Sequence, residues 1–183
     1  MSDKMIRGLM FLIAGFAPIV VYLGLGPDGT GILDAARTEQ VFAYLFFSLP
    51  IAFMMTREVE SNVFLDSGLL ILVASMSAGM VADALRANFS EMADAITITA
   101  FSSTILGAAV CGIGILRTDL FPKWLSGLFT AVASLAFILM ATAEPEHLEN
   151  SAFIIHCKTC FTAFMSFHLF LAVLGVFVIR SND

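Results

Sequence analysis

Six apolar stretches separated by short polar connections run almost the whole length of the chain: residues 6–25, 40–56, 63–85, 95–116, 125–143 and 152–179. A helix that crosses the ~30 Å hydrocarbon layer of a bilayer needs about 20 apolar residues. The second stretch is the shortest of the six, and the others reach about that length or exceed it. A membrane strand would alternate apolar and polar positions over about ten residues, and none of these runs alternates. Helices also satisfy their own backbone groups, which the hydrocarbon demands. The pattern predicts an all-α integral membrane bundle of six transmembrane helices, organised as one domain over residues 1–183.

The connections cover residues 26–39, 57–62, 86–94, 117–124 and 144–151. Such short links make sequence neighbours antiparallel and adjacent. The first, "GPDGTGILDAART", combines Pro and Gly turns with a stretch able to form a helical turn into the second span. Small residues mark packing faces, because they let membrane helices approach closely. In the fourth span Ser103, Gly107 and Cys111 fall four apart, as do Ala108 and Gly112; the third carries Ser75, Gly79 and Asp83. These two spans are therefore expected to form the tightest pair. Pro18 and Pro50 each remove a backbone donor within a span and are expected to bend the first and second helices.

Composition narrows the classes further. The chain of 183 residues is 59% hydrophobic and 13% charged, and its mean hydropathy is +0.94. Soluble domains average roughly 25% charged residues. No soluble domain remains to carry an active site, so function must reside within the bundle or at its rims. Lys4 and Arg7 precede the first apolar run, but Gly24-Leu25-Gly26, followed by Pro27, is a poor cleavage site. A retained first helix is expected. Lys4, Arg7, Arg57, Arg117, Lys123 and Arg180 flank the spans on one side, against Arg37 and Arg86 on the other, with Lys158 a little inside the sixth span there. The positive-inside rule then places both termini in the cytoplasm. The opposite rim is acidic, with Asp28, Asp34, Glu39, Asp83, Glu91, Asp94, Glu144, Glu146 and Glu149, and it supplies most of the net charge of −6. Such a rim argues against nucleic acid as a partner, since that would require a basic patch.

Candidate chemistry is concentrated in the sixth span, at "HCKTC": His156, Cys157, Lys158, Thr159 and Cys160. Cysteines three apart lie one helical turn from each other, and Lys158 beside them favours thiolate. That makes Cys157 and Cys160 redox candidates for a membrane thiol–disulfide oxidoreductase. Against this, a helix starting near residue 150 puts Cys157 about two turns inside, away from the dipole that activates such thiols. His156 and Cys160 share a face, yet a zinc site needs about four ligands and the sequence does not supply them there. No metal and no cofactor is predicted. His168 lies deep in the same span, where it could hydrogen-bond to a neighbouring helix or carry a proton. Asp66, Asp83 and Lys158 are the remaining intramembrane charges, each costing about 2.5–3.5 kcal/mol at a helix centre. Lys158 is expected to pair with Asp83 or Asp94. The ten Met and eighteen Phe residues are scattered, as packing and lipid contact require.

Residues 103–140 read "STILGAAVCGIGILRTDLFPKWLSGLFTAVASLAFILM": a small-residue helix, an Arg-x-x-x-Phe-Pro-Lys-Trp turn and a Gly-bearing apolar helix. This order resembles a family of small bacterial multi-pass membrane proteins known only as a domain of unknown function. The resemblance implies a bacterial inner membrane and no particular activity. Three functional classes remain open. The first is a non-catalytic protein, either an accessory subunit of a membrane complex or homo-oligomer, or a small-ligand binder in the lipid bilayer. The second is the oxidoreductase. The third is a proton-coupled transporter with Asp66, Asp83, Lys158 and His168 along its path.

Overall fold

The computed structural model describes residues 1–86, 90–142 and 158–181. All regular structure among them is helical, and six helices are long and apolar enough to cross a bilayer. Their contacts divide the chain into two compact units: Met1–Ser61 with His168–Asp183, and Asn62–Phe167. The last helix contributes its first part to one unit and its remainder to the other.

In the first unit, α1 covers Asp3–Pro18. The Ser2 hydroxyl caps it by accepting from Met5 N at 3.3 Å. Pro18 cannot donate to the carbonyl four residues back, and the helix widens into a π-helical continuation, Ile19–Leu25. The turn that follows is tied together by its own backbone. Gly26 N donates to Val21 O at 2.7 Å, Leu33 N to Leu25 O at 2.9 Å, and Thr30 N to Gly24 O at 2.9 Å. Gly31 sits at φ +67°, a left-handed conformation that side chains disfavour. Asp34 then caps α2, Ala35–Phe46, accepting from Arg37 N at 2.8 Å.

The second span, Ala35–Val59, is interrupted within its length. It breaks at Phe47, and α3 runs from Ser48 to Val59. Pro50 is the cause: it cannot bond to the Phe46 carbonyl, but it fits the first turn of a new helix, where no intrahelical donor is needed. Contacts between Phe11 and Phe53 and between Tyr22 and Phe42 set α1 antiparallel to α2 and α3. The Phe11 and Phe53 rings meet edge-on at 5.2 Å, both fully buried. The other neighbour of α1 is the end of α7, Lys158–Arg180. A Cβ on Gly15 would lie 2.5 Å from Ala172 N and 2.7 Å from His168 O; one on Gly175 would lie 2.7 Å from Gly8 O. The two backbones touch because these positions carry no side chain.

In the second unit, α4 covers Val63–Arg86, α5 Ser90–Leu116 and α6 Lys123–Ala141. The expected tight pair forms: α4 and α5 meet along Leu65, Gly68 and Leu72 on one side, Gly107, Cys111 and Gly114 on the other. A Cβ on Gly68 would lie 2.7 Å from Cys111 N, and one on Gly107 2.8 Å from Leu72 N. The stripe expected on the third span is displaced, however. A Cβ on Gly79 would lie 3.8 Å from Ala100 Cβ, ordinary contact, so the helices have begun to part there. Gly112 faces α6 instead, against Thr130 and Phe129.

Asn62 locks the start of this pair. Its Oδ1 accepts from Phe64 N at 3.1 Å and Leu65 N at 3.2 Å, while its Nδ2 donates to Gly114 O at 3.1 Å. One side chain thus caps α4 and holds the last turn of α5. Asn62→Ala is expected to lose about 1–2 kcal/mol, the upper part of the usual range for an N-cap. Asn62→Asp, which keeps the cap but not the donor, should lose less. Thermal unfolding of both variants in the same detergent checks that order, and equal losses would assign the whole effect to the Nδ2 bond to Gly114 rather than to the cap. At the same end, Lys123 Nζ donates to Thr118 O at 2.7 Å and Leu116 O at 3.2 Å, and pairs with Asp119 at 3.0 Å. Arg117 stacks on Phe64 at 4.3 Å.

Candidate functional site

Two features of the fold are built from residues capable of recognition, one in each unit. In the first unit, a cluster of rings surrounds His168, which is 1% exposed. The Phe46 ring lies 5.2 Å from the imidazole and Phe42 lies 6.0 Å from it. Phe42 and Phe46 stack on each other at 5.2 Å, one helical turn apart on α2. Phe42 also meets Tyr22, at 5.2 Å. The Tyr22 hydroxyl donates to Glu39 Oε2 at 2.7 Å, the short distance typical of a hydroxyl on a carboxylate. Tyr22 belongs to the π-helical segment, so the widened turn brings a phenol against α2 and ties it there. Such segments recur at functional sites. In this unit the widened turn's visible effect is to complete an aromatic wall around a buried imidazole.

In the second unit, α4 and α5 separate beyond their glycine seam. A groove of about 620 Å³ opens between them, lined by Ile71, Ala74, Ser75, Ala78, Ile96, Thr99, Ala100 and Ser103. The hollow exists because its walls are small: alanine and serine stand where larger residues would fill the space. Part of the hydroxyl supply is used inside the protein. Ser75 donates to Ile71 O at 2.7 Å, and Thr104 Oγ1 lies 2.8 Å from Ala100 O and 3.0 Å from Ser75 Oγ. The hydroxyls of α5 are therefore divided between two uses. Thr104 crosses to α4, whereas Thr99 and Ser103 line the groove.

The residues singled out from sequence are dispersed. His168 is buried in the ring cluster. Asp66 is exposed in the first turn of α4, where a carboxylate complements the helix dipole. Asp83 lies in α4, while Lys158 and Cys160 lie in the first turn of α7; their side chains fall outside the described residues, as does any pairing of Lys158 with Asp83 or Asp94. His156 and Cys157 fall wholly outside them. Cys111 is a free, buried thiol whose Sγ lies 3.9 Å from Leu65 O in the α4–α5 seam. No group of three metal-ligating side chains occurs among the described residues.

Sequence reasoning missed both features as assemblies. Phe42 and Phe46 at i, i+4 were legible as a helix face, but nothing in the sequence tied that face to Tyr22 or His168. Of the groove residues, Ser75 and Ser103 were legible as small positions on packing faces, but not as walls of a hollow.

Fold and sites together define an all-helical multi-pass membrane protein. No family model matches the chain, and neither does any curated protein or solved structure.

Proposed function

We propose that this chain is a non-catalytic binding protein of a bacterial inner membrane, with both termini cytoplasmic, and that the α4–α5 groove takes a small amphiphile from the bilayer. The groove itself carries the reading. Its volume of about 620 Å³ falls within the ~300–1,000 Å³ usual for small-molecule sites. Its lining is apolar except for hydroxyls, which suits a long apolar body bearing at most a neutral polar group. A charged ligand would find no counter-charge among the lining side chains. The bacterial setting rests on the resemblance over residues 103–140, and the orientation on the Lys and Arg bias.

The same walls favour a second occupant. Ala74 with Ala78, and Thr99 with Ser103, repeat every four residues, the spacing that receives a partner helix. An accessory subunit would use the groove in that way.

Photolabelling separates the two. Purified protein in vesicles is exposed to hexadecanol bearing a diazirine, and the adducts are mapped. Labelling concentrated on residues 71–78 and 96–103 supports a ligand groove. Ala78→Phe, which fills the hollow, is then expected to reduce it about tenfold, the equivalent of ~1.4 kcal/mol. Labelling spread evenly over all lipid-facing helices overturns the ligand reading. Cysteine crosslinks from Ala74→Cys to another polypeptide in native membranes would replace it with the partner helix.

A further inference from the structure

The hydroxyls around the α4–α5 groove differ in how far they are already used. Ser75 Oγ lies 2.7 Å from the Ile71 carbonyl and 3.1 Å from that of Leu72, and Thr104 Oγ1 lies 3.0 Å from it. Thr104 Oγ1 is also 2.8 Å from Ala100 O. Thr99 is engaged within the chain. Ser103 is the exception. A serine within a helix commonly donates to the carbonyl four residues back. For Ser103 that carbonyl belongs to Thr99, and it accepts instead from the buried Ser102 hydroxyl at 3.2 Å. Ser103 stands half-buried on the groove wall, and among the described residues its hydroxyl has no hydrogen-bond partner.

The bond between Ser75 and Thr104 fixes the depth of that hydroxyl. Ser75 stands twelve residues after the start of α4 at Val63, and Thr104 twelve before the end of α5 at Leu116. Both therefore lie about 18 Å from that end of the helix pair. Ser103, the next residue, is inside the ~30 Å hydrocarbon layer and away from both headgroup regions. Water does not serve a donor at that depth, and an unmet donor there is costly.

We infer that the groove selects an uncharged lipid carrying a carbonyl oxygen along its chain, and that Ser103 donates to that oxygen. The inference rests on the ligand reading of the groove and names the chemistry the groove recognises. Proton counting separates a carbonyl from an alcohol. A carbonyl only accepts, so a single bond from Ser103 leaves no donor unmet. An alcohol brings a second proton to a lining whose other hydroxyls are already engaged. A phospholipid fits poorly, because its ester carbonyls lie at the edge of the hydrocarbon and its phosphate outside it.

The test is competition for the groove. The full chain in vesicles is labelled with diazirine-bearing hexadecanol, and adducts on residues 71–78 and 96–103 are counted. Dioctyl ketone, the corresponding secondary alcohol and heptadecane are added as unlabelled competitors of equal chain length. The ketone is expected to halve the adducts at a concentration about fivefold below that of heptadecane, the usual worth of one hydrogen bond. The alcohol should compete less well than the ketone. Ser103→Ala should bring the ketone to the level of heptadecane and leave heptadecane unchanged. Ser77→Ala, whose hydroxyl on α4 already donates to Val73 O at 2.7 Å, should alter neither. A ketone no better than heptadecane on the unaltered chain overturns the inference without recourse to any variant. So does a preference that survives Ser103→Ala, and so does an alcohol that competes as well as the ketone. In each of these cases adducts confined to the groove would still support the ligand reading. Adducts spread evenly before any competitor is added overturn that reading, and this inference with it.

Discussion

Phe42→Ala is expected to destabilise the protein by about 3–5 kcal/mol, the range for removing a fully packed aromatic ring. Phe42 is 4% exposed and touches three other rings: Phe46 and Tyr22 at 5.2 Å and His168 at 6.0 Å. No neighbour can collapse into the space easily. Tyr22 is anchored by its bond to Glu39, and His168 is carried on a helix whose backbone already touches Gly15. Transfer of the ring from protein to lipid contributes little in a membrane, so the cavity and the lost ring contacts make up most of the effect. Tyr44, two residues on and 63% exposed, provides the contrast. Tyr44→Ala should stay within about 0.5 kcal/mol, as surface substitutions do. Thermal unfolding in one detergent measures both. Equal losses would show that the ring cluster does not hold the first unit together.

The second large effect divides two glycines eleven residues apart on one helix. At Gly68 a methyl group would meet Cys111 Sγ at 2.5 Å, Cys111 N at 2.7 Å and Gly107 O at 2.8 Å. Two of these atoms are backbone, so α4 and α5 must separate to admit it. Gly68→Ala is expected to cost about 1–3 kcal/mol, as overpacking does. At Gly79 the nearest atom is Ala100 Cβ at 3.8 Å, which leaves room. Gly79→Ala should therefore be neutral, or stabilising by up to ~1 kcal/mol from helix propensity. A loss at Gly79 with none at Gly68 would move the seam to the stripe that the sequence pattern suggests.

That pair of glycines also shows how far the sequence could be read. The six spans were legible because hydropathy alone sets them, and the pairing of the third and fourth spans followed from a short connection and small residues. The face was not legible. Ser75 belongs to both the expected and the observed stripe, but spacing by four cannot tell which neighbours of Ser75 continue the contact. Helix crossing angles decide that, and they depend on both partners. The contact of Gly8 and Gly15 with α7 was hidden for a different reason: it joins residues more than 150 positions apart, and no local pattern marks it. Pro50 was legible as a disturbance, yet whether it bends a helix or begins another depends on the carbonyl at Phe46 and the turn at Phe47. The ring cluster at His168 needs three helices in register. Its members are ordinary apolar residues until the fold assembles them.

The last helix has a consequence for how the chain comes to be made. Residues 62–167 form one unit from consecutive sequence, so their helices can associate as they leave the ribosome. The other unit joins residues 1–61 to residues 168–183. Its α1 must wait, with the bare backbone at Gly8 and Gly15 uncovered by α7, until residues 168–183 have been synthesised. The first unit therefore closes only when residues 168–183 join residues 1–61. A message that stops short of His168 would leave a nascent product with one half able to assemble and the other permanently open, a form suited to recognition by membrane quality control.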